Sequence, residues 1–545
     1  KMLLVGTLRC GVPALKIARV LFAAFFLLTG CRAGNSAENA PPARPPATPA
    51  PLPTVARVHW LGIKQLSGEP DAAAWMAIWN LPESGRLERQ TLDKLSLAPW
   101  RLLHRRPDPN AAARLRPLLD DLVDNESYWQ IRQATNSPPE LVLAVRLDDR
   151  RAALWQTNLA AVLESLTGIP PVPAPRQQYG WSLKKHHDPN LLELTRAGGW
   201  TLVGAAENHN GLLDEVRDRI RQGQTPFPAG NASDWLAADL NPAQLIPGFA
   251  TLNSQLSTLN HFHLSLTGDV TNVLWQGTAD FSRPLALDLK PWDIPTNLID
   301  QQLTSLTMVR GLKPWLESWD AWNNLQIGPP PDQACFWSVQ GFPTQNYFSA
   351  PLSGASNEVA QFTGWALQNQ GRWLATNDDA RFERSKTFNG LEWKGVPLAS
   401  PFLRSITFGD QNFLYGGGFP NVVDQPLSLK SVQNNLNRPN LVYHDWERTG
   451  YRTRQWIDAG QVVRFLLHKA TLPPGSPGYL WLKTIALKPG ESVTDITQTG
   501  PDQLSFTRKS AVGFTGIELN LLADWLESPQ FPYGLYSVLT PPPQP

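Results

Sequence analysis

The sequence predicts an α+β protein built as two similar halves, each a mainly antiparallel sheet with helices packed on one face. Three observations lead there. The order strand, helix, strand, strand, helix, strand can be read in residues 56–300 and again in residues 301–540. Each half opens with a strand followed by a tryptophan-bearing helix. Finally, 50 of 545 residues are proline, nearly twice the usual ~5%. Proline lacks the N–H that helix interiors and central strands use, so this richness favours many loops and edge strands. Only 17% of residues are charged and 10% are aromatic, which excludes an intrinsically disordered chain. A net charge of +1 gives no electrostatic case for a nucleic-acid partner.

In chain order, residues 1–30 read as a signal peptide. Lys1, Arg9, Lys16 and Arg19 occur without an acidic residue, and an apolar run occupies residues 20–28. That run is too short for a bilayer helix, which needs ~20 residues, and has the size of a signal-peptide hydrophobic region. Leu28-Thr29-Gly30-Cys31 follows. This quartet resembles the bacterial lipobox, an aliphatic residue and two small residues before a cysteine. The resemblance implies a bacterial lipoprotein, cleaved before Cys31 and held to membrane lipid through the acylated Cys31 thiol. It places the chain in the cell envelope. Arg32, rather than Asp, follows the cysteine, which points to the outer membrane, on its periplasmic side or at the cell surface. Loss of residues 1–30 leaves a net charge of −3, so a lipid anchor is needed at an anionic membrane. Cys10 is lost with that segment and Cys31 is acylated, leaving Cys335 without an intrachain disulfide partner. Its apolar, strand-like setting reads as a buried, inert thiol.

Residues 31–55 contain the lipidated cysteine and a proline-rich tether, with seven prolines between 41 and 53. Such a segment favours extended polyproline II, at ~3.1 Å per residue, and would hold the body roughly 70 Å from the lipid.

In residues 56–300, a strand at 58–62 precedes a helix at 71–81 with Trp75 and Trp79 at i, i+4. A strand at 140–147, a helix at 152–166, a hairpin of 191–196 with 200–205, a helix at 208–221 and a strand at 235–239 follow. In residues 301–540, the strand at 305–310 precedes a helix at 313–325 bearing Trp315, Trp319 and Trp322. A strand at 335–340, a helix at 356–368, a hairpin of 402–408 with 413–416, a short helix at 427–434 and a strand at 441–444 complete the parallel. The helical spacing of the tryptophans predicts core anchors. Residues 541–545 form a proline-rich tail.

Motifs for known chemistries are sparse. Gly416-Gly417-Gly418 lacks the lysine and hydroxyl of a phosphate loop, and no G-x-S-x-G, H-E-x-x-H or C-x-x-C occurs. His261 and His263 are the best metal candidates, because residues i and i+2 of a strand share a face; His209 or His187 could add a third ligand. Equally, Asn260, Ser265 and Thr267 make that strand read as a polar, exposed surface. Asp148-Asp149 and Asp378-Asp379 read as caps or solvated pairs, and His186-His187 as loop residues. Among the aromatics near turns, Trp181, Trp292, Tyr347, Trp365, Trp393 and Tyr415 could stack on sugar rings. The combined expectation is a membrane-anchored envelope lipoprotein with a noncatalytic binding or structural role, no cofactor, and a protein or glycan partner that the sequence leaves open. The alternatives are an envelope hydrolase acting on glycan or peptide, and a carbohydrate-binding module using Trp platforms.

Overall fold

The computed structural model describes residues 53–539, apart from 134–137, 175–178, 185–188, 229–230, 232, 246–257, 301, 319–328, 342–344, 374–380, 397–398, 421–425, 428–436 and 468–470. The signal peptide, Cys31, residues 32–52 of the tether, His186, His187, Trp319, Trp322, Asp378-Asp379 and the tail at 541–545 lie outside the described residues.

Among the described residues, twenty strands form one antiparallel sheet. The first ten are β1 (Thr54–Trp60), β2 (Ser127–Arg132), β3 (Glu140–Arg146), β4 (Val172–Pro173), β5 (Trp181–Lys184), β6 (Asn190–Ala197), β7 (Trp200–Glu207), β8 (Leu236–Leu240), β9 (Leu259–Gly268) and β10 (Val273–Phe281). The next ten are β11 (Leu303–Arg310), β12 (Gln333–Val339), β13 (Gln345–Pro351), β14 (Arg381–Arg384), β15 (Gly390–Lys394), β16 (Phe402–Phe408), β17 (Gln411–Gly417), β18 (Leu441–Arg448), β19 (Glu491–Gly500) and β20 (Gln503–Ser510). Across the first half the strands lie in the order β4-β5-β6-β7-β3-β2-β1-β8-β9-β10. Across the second they run β20-β19-β18-β11-β12-β13-β17-β16-β15-β14. β10 and β20 pair directly, from Val273 opposite Ser510 to Asp280 opposite Gln503. The expectation that each half owns a separate sheet is therefore corrected. The free edge of each half's innermost strand is consumed by the other, which removes two unpaired rows of N–H and C=O groups.

The helices do not keep to one face, contrary to expectation. β3, Glu-Leu-Val-Leu-Ala-Val-Arg, is apolar at consecutive positions and buried along five of its seven residues, the pattern of a strand covered on both sides. Leu143 and Val145 pack with Trp100, Leu115, Trp155 and Leu159, from helices α2 (Pro82–Leu102), α3 (Pro109–Asp124) and α4 (Asp149–Thr167). Val142 and Ala144 pack on the other face with Leu212, Leu213 and Val216 of α5 (Gly211–Arg221). In the second half, α6 is Ala355–Trp373, α7 Thr449–Leu467, α8 Pro477–Ile485 and α9 Gly516–Leu526. There the face bearing Leu306, Met308, Cys335 and Trp337 packs against Leu298 and Ile299 of the β10–β11 connection.

The junction is filled on the helical side. Leu87 of α2 packs with Trp481, Leu482 and Ile485 of α8 and Leu519 of α9. The Trp481 indole N–H donates to Ser84 Oγ at 3.0 Å, Gln90 donates to Glu527 at 2.6 Å and Lys94 donates to the Leu526 carbonyl at 2.7 Å.

The predicted tryptophan anchors sit less deeply than expected. Trp75 and Trp79 are half-buried on the seven-residue helix α1 (Ala73–Trp79), none of whose residues is fully buried. Trp75 touches Trp79 and Phe514, each at 6.4 Å between ring centroids. Trp315 is half-buried on Lys313–Glu317. The deeply buried tryptophans are Trp100, Trp155 and Trp337, each 1% exposed. Trp100 and Trp155 lie on the inward stripes of α2 and α4, packed in the core against the sheet, and Trp337 lies within strand β12, whereas the short helices bearing Trp75, Trp79 and Trp315 leave these rings half-buried.

Candidate functional site

At the centre of the sheet, period-2 alternation sorts the side chains by chemistry. One face carries Phe262, Leu264 and Leu266 of β9, then Trp275 of β10, then Leu504 and Phe506 of β20. The other face is polar apart from Leu274 of β10: it carries His261, His263, Ser265 and Thr267 of β9; Gln276, Thr278 and Asp280 of β10; Gln503, Ser505, Thr507 and Lys509 of β20. Thus His261 and His263 share a face, as the strand period required. His263 Nδ1 lies 2.8 Å from Asp239 Oδ1 of β8, and His261 Nδ1 lies 3.5 Å from Asp280 Oδ2. Asp280 also accepts from Gln503 at 2.7 Å, so the cluster bridges the two halves. Between 35% and 45% of each of these four ionisable side chains is exposed, and solvent reaches all of them.

The expected third metal ligand is elsewhere. His209 pairs with Asp214 of α5 at 3.4 Å, and His187 lies outside the described residues. Among the described residues, no three His, Cys, Asp or Glu side chains are arranged to hold a metal ion. The two imidazoles turn their Nδ1 atoms to different carboxylates rather than to one point.

A second His–Asp pair occupies the corresponding strands of the other half. In register, Asp239, His263 and Thr278 lie side by side on β8, β9 and β10; His444, Asp495 and Thr507 lie side by side on β18, β19 and β20. His444 Nδ1 is 2.7 Å from Asp495 Oδ1, and Arg438 donates to Asp495 Oδ2 at 2.6 Å. Burial pushes the Asp495 carboxyl up, but the hydrogen bonds from His444 and Arg438 outweigh it and hold the group below its ordinary value.

The other concentration of ionisable groups is buried. Asp445 and Glu447 of β18 are 8% and 4% exposed and share the face covered by α7 and α9. Thr307 donates to Asp445 at 2.6 Å, and the Gly516 backbone N–H donates to Glu447 at 2.7 Å. Burial, then repulsion from Asp445, pushes the Glu447 carboxyl up to about 8; burial likewise raises Asp445. Arg452, 7% exposed on α7, donates to Ser338 at 2.7 Å, Gln455 at 2.8 Å and Asn346 at 3.1 Å. Arg508 makes a two-pronged ion pair with Glu518 of α9, at 2.7 and 2.9 Å. Sequence reading missed this cluster. Its signal was two acids alternating within Leu-Val-Tyr-His-Asp-Trp-Glu-Arg, a strand that the periodicity ended at residue 444.

The turn aromatics do not form an exposed platform. Trp181, Tyr347 and Tyr415 are 4%, 3% and 1% exposed. Tyr347 and Tyr415 stack with Trp337, Trp292 packs against the same cluster, and Trp365 and Trp393 are half-buried beside Phe362 and Phe382. A long aromatic near a turn still faces the core when its strand position does. Asp148 caps α4 through the Arg151 N–H at 2.7 Å, and Asp149 pairs with Arg196 at 2.7 Å. Gly416 and Gly417 end β17 against the rings of Phe348 and Tyr347. Cys335 is a buried free thiol whose pKa burial drives up. Among the described residues, no helix is long and apolar enough to cross a membrane.

No protein-family model, curated protein or solved structure matches this chain.

Proposed function

We propose that this chain is a lipid-anchored envelope protein with a noncatalytic binding or structural role, its folded body formed by tandem duplication of one α+β unit. The observation that carries the duplication is the pairing list itself. Each strand pair within β1–β10 has a counterpart within β11–β20 with both numbers raised by ten, including the non-sequential pairs β3–β7 with β13–β17 and β1–β8 with β11–β18. The His–Asp–Thr rows on corresponding strands support the same reading.

Two features favour binding or scaffolding over turnover. The junction between halves, where a substrate groove would lie, is packed on its helical side and continuous through β10–β20. The opposite, mainly polar face of β9, β10 and β20 presents Gln276, Thr507 and Lys509 to solvent beside the half-exposed His261 and Asp280, suited to a polar partner held over many weak contacts. The anchor reading rests on the lipobox resemblance. Mass spectrometry of the envelope-purified chain is expected to show acylated Cys31 at the mature terminus, and Cys31→Ser to leave unprocessed precursor. A photo-crosslinker at the exposed Gln276 is expected to capture an envelope component, and capture is expected to fail when Thr507→Lys and Ser505→Lys crowd the face. Turnover of envelope glycan or peptide by the purified protein would replace this reading with the hydrolase.

A further inference from the structure

We propose that Asp445 and Glu447 form a proton-operated clamp, in which one proton held between β18 and the start of α9 keeps the helical layer seated on the sheet. The argument is one of counting charges and donors. The ionisable groups around the pair are Tyr443 and His444 on β18, Arg452 on α7, Arg508 on β20 and Glu518 on α9; His444 lies on the opposite face, bonded to Asp495. Arg508 is taken up by both oxygens of Glu518, whereas Arg452 donates only to the neutral Ser338, Asn346 and Gln455, so its single charge is left to offset one of the two acids. Neither is bonded to Asp445 or Glu447 among the described residues. Two buried carboxylates that share the charge of one arginine, with no hydrogen bond to it, cannot both ionise cheaply, so they retain one proton.

The position of that proton gives it leverage. Glu447 meets the first N–H of α9, and α9 has no slack there. A Cβ on Gly516 would lie 2.6 Å from the Thr453 backbone nitrogen in the first turns of α7. α9 also carries Leu519 and Ala523 into the apolar cluster that joins α2 of the first half to α8 of the second. With both acids ionised, burial and their mutual repulsion outweigh the Gly516 N–H, and lifting α9 relieves the pair by admitting water while exposing the contact between halves.

The direction follows from linkage. Once α9 opens, Glu447 returns to an ordinary carboxyl value near 4.5. Between about pH 5 and pH 8 the closed form holds a proton that the open form has lost, so opening becomes about tenfold more frequent per pH unit; above about 8 the dependence flattens. Acid therefore tightens the layer and mild alkali loosens it.

The test is hydrogen exchange on the full chain, following α9 amides from pH 5 to pH 9 with rates corrected for intrinsic exchange. Protection is expected to fall about tenfold per unit up to pH 8 in the native protein. Glu447→Gln keeps the acceptor oxygen for Gly516 without titrating, and is expected to give a flat profile. Asp445→Asn removes the repelling neighbour and is expected to move the plateau to lower pH; it serves if the Gln variant does not fold. A flat native profile, an unchanged slope in folded Glu447→Gln, or an unmoved plateau in folded Asp445→Asn would overturn the proposal.

Discussion

Arg310 shows how a single side chain can hold two distant segments. It is 3% exposed, and its guanidinium donates to the carbonyls of Leu441 at 2.7 Å, Lys290 at 2.6 Å and Pro439 at 2.5 Å. It also lies 4.7 Å over the ring of Trp292. Lys290 and Trp292 belong to the connection leaving the first half; Pro439 and Leu441 lead into β18. Arg310→Met is expected to strand several buried carbonyls and to cost about 3 kcal/mol or more in urea denaturation. Arg310→Lys is expected to recover less than half, since an ammonium supplies neither the planar fork nor the stack. None of this is legible locally in Thr-Met-Val-Arg, because the acceptors lie 20 residues before it, at Lys290, and 129 and 131 residues after it, at Pro439 and Leu441. The same holds for the tryptophans: helical spacing identified the inward stripe of Trp75 and Trp79, but depth depends on what lies outside the helix.

At the scale of elements, what could be read was what local periodicity determines. The hairpin expected at 191–196 and 200–205 is β6 and β7, and the one at 402–408 and 413–416 is β16 and β17. The helix expected at 152–166 is α4, capped by Asp148 and closed by Gly168 in the left-handed conformation. The helices α2 and α3 escaped notice because each contains an internal proline, Pro99 and Pro117, which ordinarily signals a break. α9 begins with a signature that was present but unread: Thr515 accepts from the Glu518 N–H while Glu518 accepts from the Thr515 N–H, a reciprocal capping box. Thr515→Ala is expected to cost about 1 kcal/mol. Glu518 also binds Arg508, so Glu518→Ala is expected to cost more, and the double variant less than the sum, since both changes free the same helix end. Equilibrium denaturation of the three variants checks the ordering.

For the whole molecule, the consequence of a single sheet is cooperativity. Two domains joined by a chain crossing unfold separately when their contact is small and polar. Here the contact is a full central ladder between β10 and β20, backed by an apolar cluster drawn from both halves. The local pattern of each half was visible in the sequence, but the shared sheet was not, because nothing in a strand's own residues names its partner. The halves are accordingly expected to unfold in one transition, with calorimetric and van't Hoff enthalpies in agreement. Thr278 sits at the middle of β10, between His263 of β9 and Ser505 of β20. Thr278→Pro removes a ladder donor in a central strand and clashes with the pairing geometry. If the ladder couples the halves, this one substitution is expected to split the single transition in two, the less stable half melting first. Ser505→Ala, on the paired strand but without loss of a backbone donor, is expected to leave one transition. Two transitions in the unaltered protein would show that the helical contacts and the ladder together are too weak to make one folding unit.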